Sequence, residues 1–141
     1  MNLNSENPII GKKFQSEVLN FATKHFNKEF DEEVAIDIGN PPTPHKFDVV
    51  SEDKSIIIEC KCYTWTESGN VPSAKLATLD EAILYMRSVT YNAERIIAMK
   101  ESKHDRRDIT LAEYFCDKKG HLMEGISVWE FDDMGKCRVL R

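Results

Sequence analysis

The chain has 141 residues, 41% of them apolar and 30% charged, with a formal net charge of −5, a balance that excludes disordered and fibrous chains and argues against coating nucleic acid by bulk electrostatics. No apolar run approaches the roughly 18 residues of a membrane span, and Met1 to Pro8 lacks the basic and apolar regions of a secretory signal. The four cysteines, Cys60, Cys62, Cys116 and Cys137, form no paired CxxC units, so the expectation is a cytoplasmic protein with reduced thiols and no membrane contact. One domain spanning 1–141 is expected, with a core over about 9–100 and a C-terminal helix plus hairpin over 109–141.

In chain order, Phe14, Glu17, Val18, Phe21, Ala22 and His25 recur at spacings of three and four and predict a helix over about Ile9 to Asn27. Glu33 to Ile38 predicts a short strand. The breaker Gly39-Asn40-Pro41-Pro42-Thr43-Pro44 closes it, since prolines cannot continue a central strand. His45 to Ser51 and Ile56 to Tyr63 are rich in β-branched residues and flank the polar Glu52-Asp53-Lys54-Ser55, the pattern of a hairpin. After the polar loop Thr64 to Pro72, Ser73 is placed to cap a helix running to about Arg87, with Leu76, Leu79, Ile83 and Met86 on one stripe. A buried strand, Arg95 to Met99, precedes the charged loop Lys100 to Asp108. Thr110-Leu111-Ala112-Glu113 has the spacing of a capping box that opens a third helix, and Gly120 would stop it. Ser127 to Phe131 and Cys137 to Leu140 read as a second hairpin. The order implies an α/β fold, a three-layer sandwich in which a mixed central sheet carries helices on both faces.

Register places the chemistry. A symmetrical loop pairs Ser51 with Ile56, and the same register sets Asp48 opposite Glu59 with Cβ atoms about 4.5 to 5.5 Å apart. Like charges so placed destabilise a sheet, and a divalent cation with oxygen ligands is the natural compensation. Lys61, two residues beyond Glu59, shares its face. Its ammonium can approach a water or a phosphate oxygen without being a ligand. The backbone carbonyl of Cys60 can supply a further oxygen.

At Lys46-Phe47-Asp48 and Ile56-Ile57-Ile58-Glu59-Cys60-Lys61 the chain resembles the PD-(D/E)XK, or restriction endonuclease-like, nuclease superfamily. There an acidic residue on the second core strand and an E-x-K on the third form the metal site, within a core of helix, three strands, helix and strand. Phe47 stands where the name-giving proline would sit, a position that carries no chemistry. The resemblance implies a Mg²⁺-dependent endonuclease acting on DNA, with Mn²⁺ able to substitute and no small organic cofactor. It implies catalytic roles for Asp48, Glu59 and Lys61, and a further glutamate on the first helix near the metal. Glu17 fits that last role, directly or through water, because it interrupts the apolar face between Phe14, Val18 and Phe21. Since one active site cuts one strand, cleavage of both implies a homodimer or sequential nicking.

Lys46, Lys103, Arg106 and Arg107 are the candidate phosphate contacts, although the loop that holds the last three also contains Glu101 and Asp105 and reads equally as an ordinary exposed segment. Tyr63 and Trp65 could stack on a base; packing against the following helix is the commoner use. His45, beside prolines, reads as structural or solvated rather than as a ligand. The alternative function is a catalytically inactive nuclease-fold module for nucleic-acid binding or protein assembly, against which the intact acidic pair and lysine speak.

Overall fold

The computed structural model describes residues 7–141, with Asn7 as backbone only, so Met1 to Pro8 lies outside it except for its last two residues. The elements are α1 (Asn7–Phe26), β1 (Phe30–Ile38), β2 (Thr43–Ser51), β3 (Ile56–Lys61), α2 (Ser73–Arg87), β4 (Glu94–Lys100), α3 (Leu111–Lys119), a 3₁₀ turn (Gly120–Leu122), β5 (Ile126–Phe131) and β6 (Cys137–Val139). The six strands form one mixed sheet in chain order, β1-β2-β3-β4-β5-β6. Pairing is antiparallel for β1–β2, β2–β3 and β5–β6, and parallel for β3–β4 and β4–β5. No helix among the described residues is long and apolar enough to cross a membrane.

Two apolar clusters flank this sheet. Ile56, Ile58, Ile96 and Ala98 pack with Phe14, Val18 and Ala22 of α1. Ile57, Ile97 and Val128 pack with Leu79 and Met86 of α2 and with Leu111 and Phe115 of α3. Adjacent residues of β3 and β4 thus enter different clusters, as a strand buried on both faces requires.

Several boundaries depart from the sequence reading. β1 begins at Phe30 rather than Glu33, and β2 includes Thr43 and Pro44. Pro44 is tolerated because that end of β2 is laddered to β1, Asp37 opposite Pro44, while the β2–β3 ladder covers only Val49 and Val50. Ser73 is not a cap: Pro72 holds the cap position of α2, and no side chain there accepts from the first turn. At the other end of α2, the Arg95 guanidinium donates to the carbonyls of Met86 and Val89, and also to Tyr91 and Ala93. These bonds tie the end of α2 to the start of β4. α1 stops at Asn27, whose φ of 52° is the left-handed conformation that closes helices.

The capping box of α3 is formed. Thr110 Oγ1 accepts from Glu113 N–H, and Glu113 Oε1 accepts from Thr110 N–H. Thr110 also donates to the buried Glu130 carboxylate, which Arg138 of β6 holds from the other side. The two helix starts therefore differ in what a hydroxyl does for them. Thr110→Ala is expected to cost about 1 to 3 kcal/mol, for the lost cap and an under-satisfied buried carboxylate. Ser73→Ala should fall within about 0.5 kcal/mol of wild type. Urea unfolding of both variants measures the contrast.

Candidate active site

The β2–β3 register is the one read from the sequence, with Val49 opposite Ile58 and Val50 opposite Ile57. The turn between them is built around Asp53, whose Oδ1 accepts from Ser51 Oγ, Ser55 N–H and Ser55 Oγ. Its other oxygen lies 2.8 Å from Lys28 Nζ. The Lys28 hydrogen bond, with those of Ser55 and Ser51, holds the Asp53 carboxyl far below its ordinary range. A turn so anchored fixes the pairing before the strands reach the site.

Beyond Val49 and Ile58 the main chains stop pairing, and two side chains take over. Asp48 N–H donates to Glu59 Oε1 at 3.1 Å, and Cys60 N–H donates to Asp48 Oδ2 at 2.8 Å. Each carboxylate thus fills a hydrogen-bond position on the opposite strand. Among the described residues, no hydrogen bond engages Asp48 Oδ1 or Glu59 Oε2, and neither is sealed from solvent.

The other flank of β2 shows how Asp48 reaches this gap. Glu32 pairs with Val49 and Val34 with Phe47, but the intervening Glu33 and Asp48 make no ladder pair. Glu33 has a φ of 55°, an unfavourable backbone for a residue with a Cβ. The side-chain order of both strands switches at this point. Val49 packs with α1, whereas Phe47, two residues away, packs with α2, and so do Val34 and Ile36 although Phe30 packs with α1. Residues two or four apart in a regular strand share a face. Asp48 sits at the switch.

The electrostatics are those of two acids forced together. Burial, then the nearby Asp48 charge, pushes the Glu59 carboxyl up to about 8, with Lys61 opposing. Burial also raises Asp48, against the Cys60 N–H and the Lys61 charge. Both thiols near the site, Cys60 and Cys62, are pushed up by burial and stay protonated. Lys61 lies in step with Glu59 and Ile57 on β3 and is half-buried. His45 is close enough to feel Asp48 and Lys61. Burial lowers its pKa, and its ring stacks on Tyr85 at 4.0 Å.

Among the described residues, no hydrogen bond or ion pair joins Glu17 to Asp48, Glu59 or Lys61. The Glu17 carboxylate lies 3.5 Å from Lys100 Nζ, on the α1 side of the sheet in step with Ile96 and Ala98, whereas Glu59 and Lys61 are in step with Ile57. Glu33 and Lys12, which the sequence reading left aside, do adjoin the acidic pair: they form an ion pair at 2.7 Å, and each feels or acts on the Asp48 charge. No signal in the sequence marks them, because their approach depends on the switch at Glu33.

Lys46 and Arg106 are exposed. Lys103 is exposed too, 3.9 Å from Glu101. Arg107 is half-buried, with its guanidinium 4.3 Å over the Trp65 ring. Trp65 is buried against Tyr114, and Tyr63 hydrogen-bonds Thr78 of α2, so both aromatics serve packing.

Among the described residues no group of three or more His, Cys, Asp or Glu side chains is placed to hold a metal ion. A cation here would have two acidic side chains, the Cys60 carbonyl and water as its oxygen donors. Magnesium sites commonly have such a sparse donor set, one or two carboxylates completed by water and substrate phosphate. No protein-family model, curated protein or solved structure significantly matches the chain.

Proposed function

We propose that the chain is a Mg²⁺-dependent deoxyribonuclease of the PD-(D/E)XK kind, with its sheet as the middle layer of a three-layer sandwich and Asp48, Glu59 and Lys61 as its catalytic residues. The observation that carries this reading is the reciprocal hold of Asp48 and Glu59 across parted strands, which leaves one oxygen of each free. Neutral acceptors could satisfy the same two backbone N–H groups without setting one acid against another, so the use of two carboxylates points to a ligand. Asp48 Oδ1, Glu59 Oε2 and the Cys60 carbonyl would hold Mg²⁺, or Mn²⁺ in its place. Such a cation polarises the scissile phosphate and lowers the pKa of water in its shell.

The protein's own part is positioning and charge. Each carboxylate is fixed through its engaged oxygen to a backbone N–H of the neighbouring strand, so its free oxygen keeps one direction without reorganising. The Lys61 ammonium offsets the paired negative charge. It is the donor available to a phosphate oxygen as charge develops there. Cutting both strands of a duplex requires two copies about a two-fold axis or two successive nicks; we favour a homodimer.

Thermal melts and plasmid digestion test this reading together. Saturation with Mg²⁺ at about one hundred times its Kd should stabilise the chain by about 2.7 kcal/mol, and supercoiled plasmid should be nicked. Asp48→Ala should abolish both effects. Lys61→Ala should keep the Mg²⁺ stabilisation while the nicking rate falls at least about 100-fold. A wild-type chain whose melt ignores Mg²⁺ and Mn²⁺ and that leaves plasmid intact would overturn the proposal.

The Glu59 carboxyl gives the reading a pH signature. Its pKa is raised from 4.5 to about 8, so the fold favours the protonated form. The stability that this preference contributes is complete below pH 4.5 and is lost as pH rises through about 8. Without metal, Glu59→Gln should therefore melt close to wild type in acid and several degrees above it in alkali, at about 3 °C per kcal/mol. Mg²⁺ affinity of the wild type should rise over the same window, because binding displaces the proton.

A further inference from the structure

The first helix grips β1 at its irregular residue. Gln15 Nε2 donates to Glu32 Oε1 at 3.1 Å, and Lys12 Nζ meets Glu33 Oε2 at 2.7 Å. Lys12 and Gln15 are three apart on α1 and so lie on one helical face. Glu32 and Glu33 are adjacent on β1, and adjacent side chains of a regular strand point to opposite faces of the sheet. Both nevertheless reach the same face of one helix. The left-handed backbone of Glu33 accounts for this: before it Phe30 packs with α1, and after it Val34 and Ile36 pack with the α2 cluster.

A residue with a Cβ disfavours that backbone, so it needs support from outside the strand, and two side chains of α1 touch β1 at this point. Gln15 is buried while Glu32 is exposed, so in that bond the helix supplies the fixed end. The consequence reaches Asp48 through the ladder. Glu32 pairs with Val49 and Val34 with Phe47, and between them Glu33 stands opposite Asp48 without pairing. Released from β1, Asp48 turns to β3: its N–H donates to Glu59 Oε1, and its Oδ2 accepts from Cys60 N–H.

We infer that Lys12 and Gln15 are positioning residues for the Asp48–Glu59 site: by holding Glu33 and Glu32 they keep the kink in β1 that leaves Asp48 free to bridge to β3. The inference rests on the nuclease reading above for its metal, while the clamp itself is a matter of backbone geometry. Neither side chain touches the cation. Each acts through β1 on the direction in which Asp48 presents its carboxylate.

Charge and position predict opposite signs for Lys12. Removing a cation beside a carboxylate pair should tighten Mg²⁺ binding by electrostatics alone, whereas loss of the clamp should weaken it, as the loss of partners behind metal ligands generally does. Mg²⁺ affinity is measured by isothermal titration for wild type, Lys12→Met, Lys12→Arg and the double variant Lys12→Met with Gln15→Met. Kd should rise about 3-fold in Lys12→Met and about 10-fold in the double variant, and Lys12→Arg should keep the wild-type value. Hydrogen exchange in EDTA reads the clamp without metal: the Asp48 amide should exchange about 10-fold faster in the double variant, while the Ile57 and Ile58 amides keep their rates. Unchanged or tighter Mg²⁺ binding in the double variant, or an unchanged Asp48 amide, would each overturn the inference. If the double variant fails to give a folded melt, Lys12→Met, altered only at an exposed side chain, decides by the same sign. A wild-type chain that ignores Mg²⁺ while the Asp48 amide responds would sink the nuclease reading and leave the clamp standing.

Discussion

Where β2 and β3 part, two backbone N–H groups lose the carbonyls that a continued ladder would offer, and a buried N–H without a partner is costly. Asp48 and Glu59 supply the missing acceptors, each to the other's strand. This exchange is the constraint on which the site depends. It keeps the strands at a fixed separation while their main chains are apart, and it dictates which oxygen of each carboxylate is engaged and which is free. The Asp53 turn upstream holds the register that makes the exchange possible. A slip of one residue would turn Asp48 and Glu59 away from each other.

The surrounding structure carries the cost of that arrangement. Glu33 adopts a left-handed backbone, and Glu59 lies buried beside a second acid. Both run against what local propensity and electrostatics favour, and they lie on the two strands that flank Asp48. Two apolar clusters with many fully buried side chains, Phe47, Ile57 and Ile58 among them, hold the strands in place around the conflict. Local rules broken together inside an otherwise consistent fold are the physical ground for proposing a site at this place.

The element order, the hairpin register and the capping box of α3 were legible because each rests on local signals: helical spacing, a four-residue polar turn, and the Thr110–Glu113 interval. The meeting of Asp48 and Glu59 followed from register alone. The switch of side-chain order at Glu33 was not legible, since a period of two assumes a regular strand, and it is this switch that brings Glu33 and Lys12 toward the site. The extension of β1 back to Phe30 was hidden by Asp31 and Glu32, acids that strands seldom favour. Ser73 looked like a cap, but Pro72 occupies that position. The contacts of Arg107 with Trp65 and Gly69 join parts of the chain that are distant in sequence, so no local signal marked them. Glu17 interrupts an apolar helical face as a site acid would, yet here the partner that draws it inward is Lys100.

The sheet runs in chain order, so its two margins are β1 and β6. Asp31, Glu32, Glu33 and Asp37 stand exposed along the first, while the second is only three residues long. Two molecules meeting β1 to β1 would bring matching rows of negative charge together, and β6 offers too short a run of free amides to template a neighbour. The fold is thus protected against open-ended stacking into fibrils, and any pairing of copies is steered toward helical or loop surfaces.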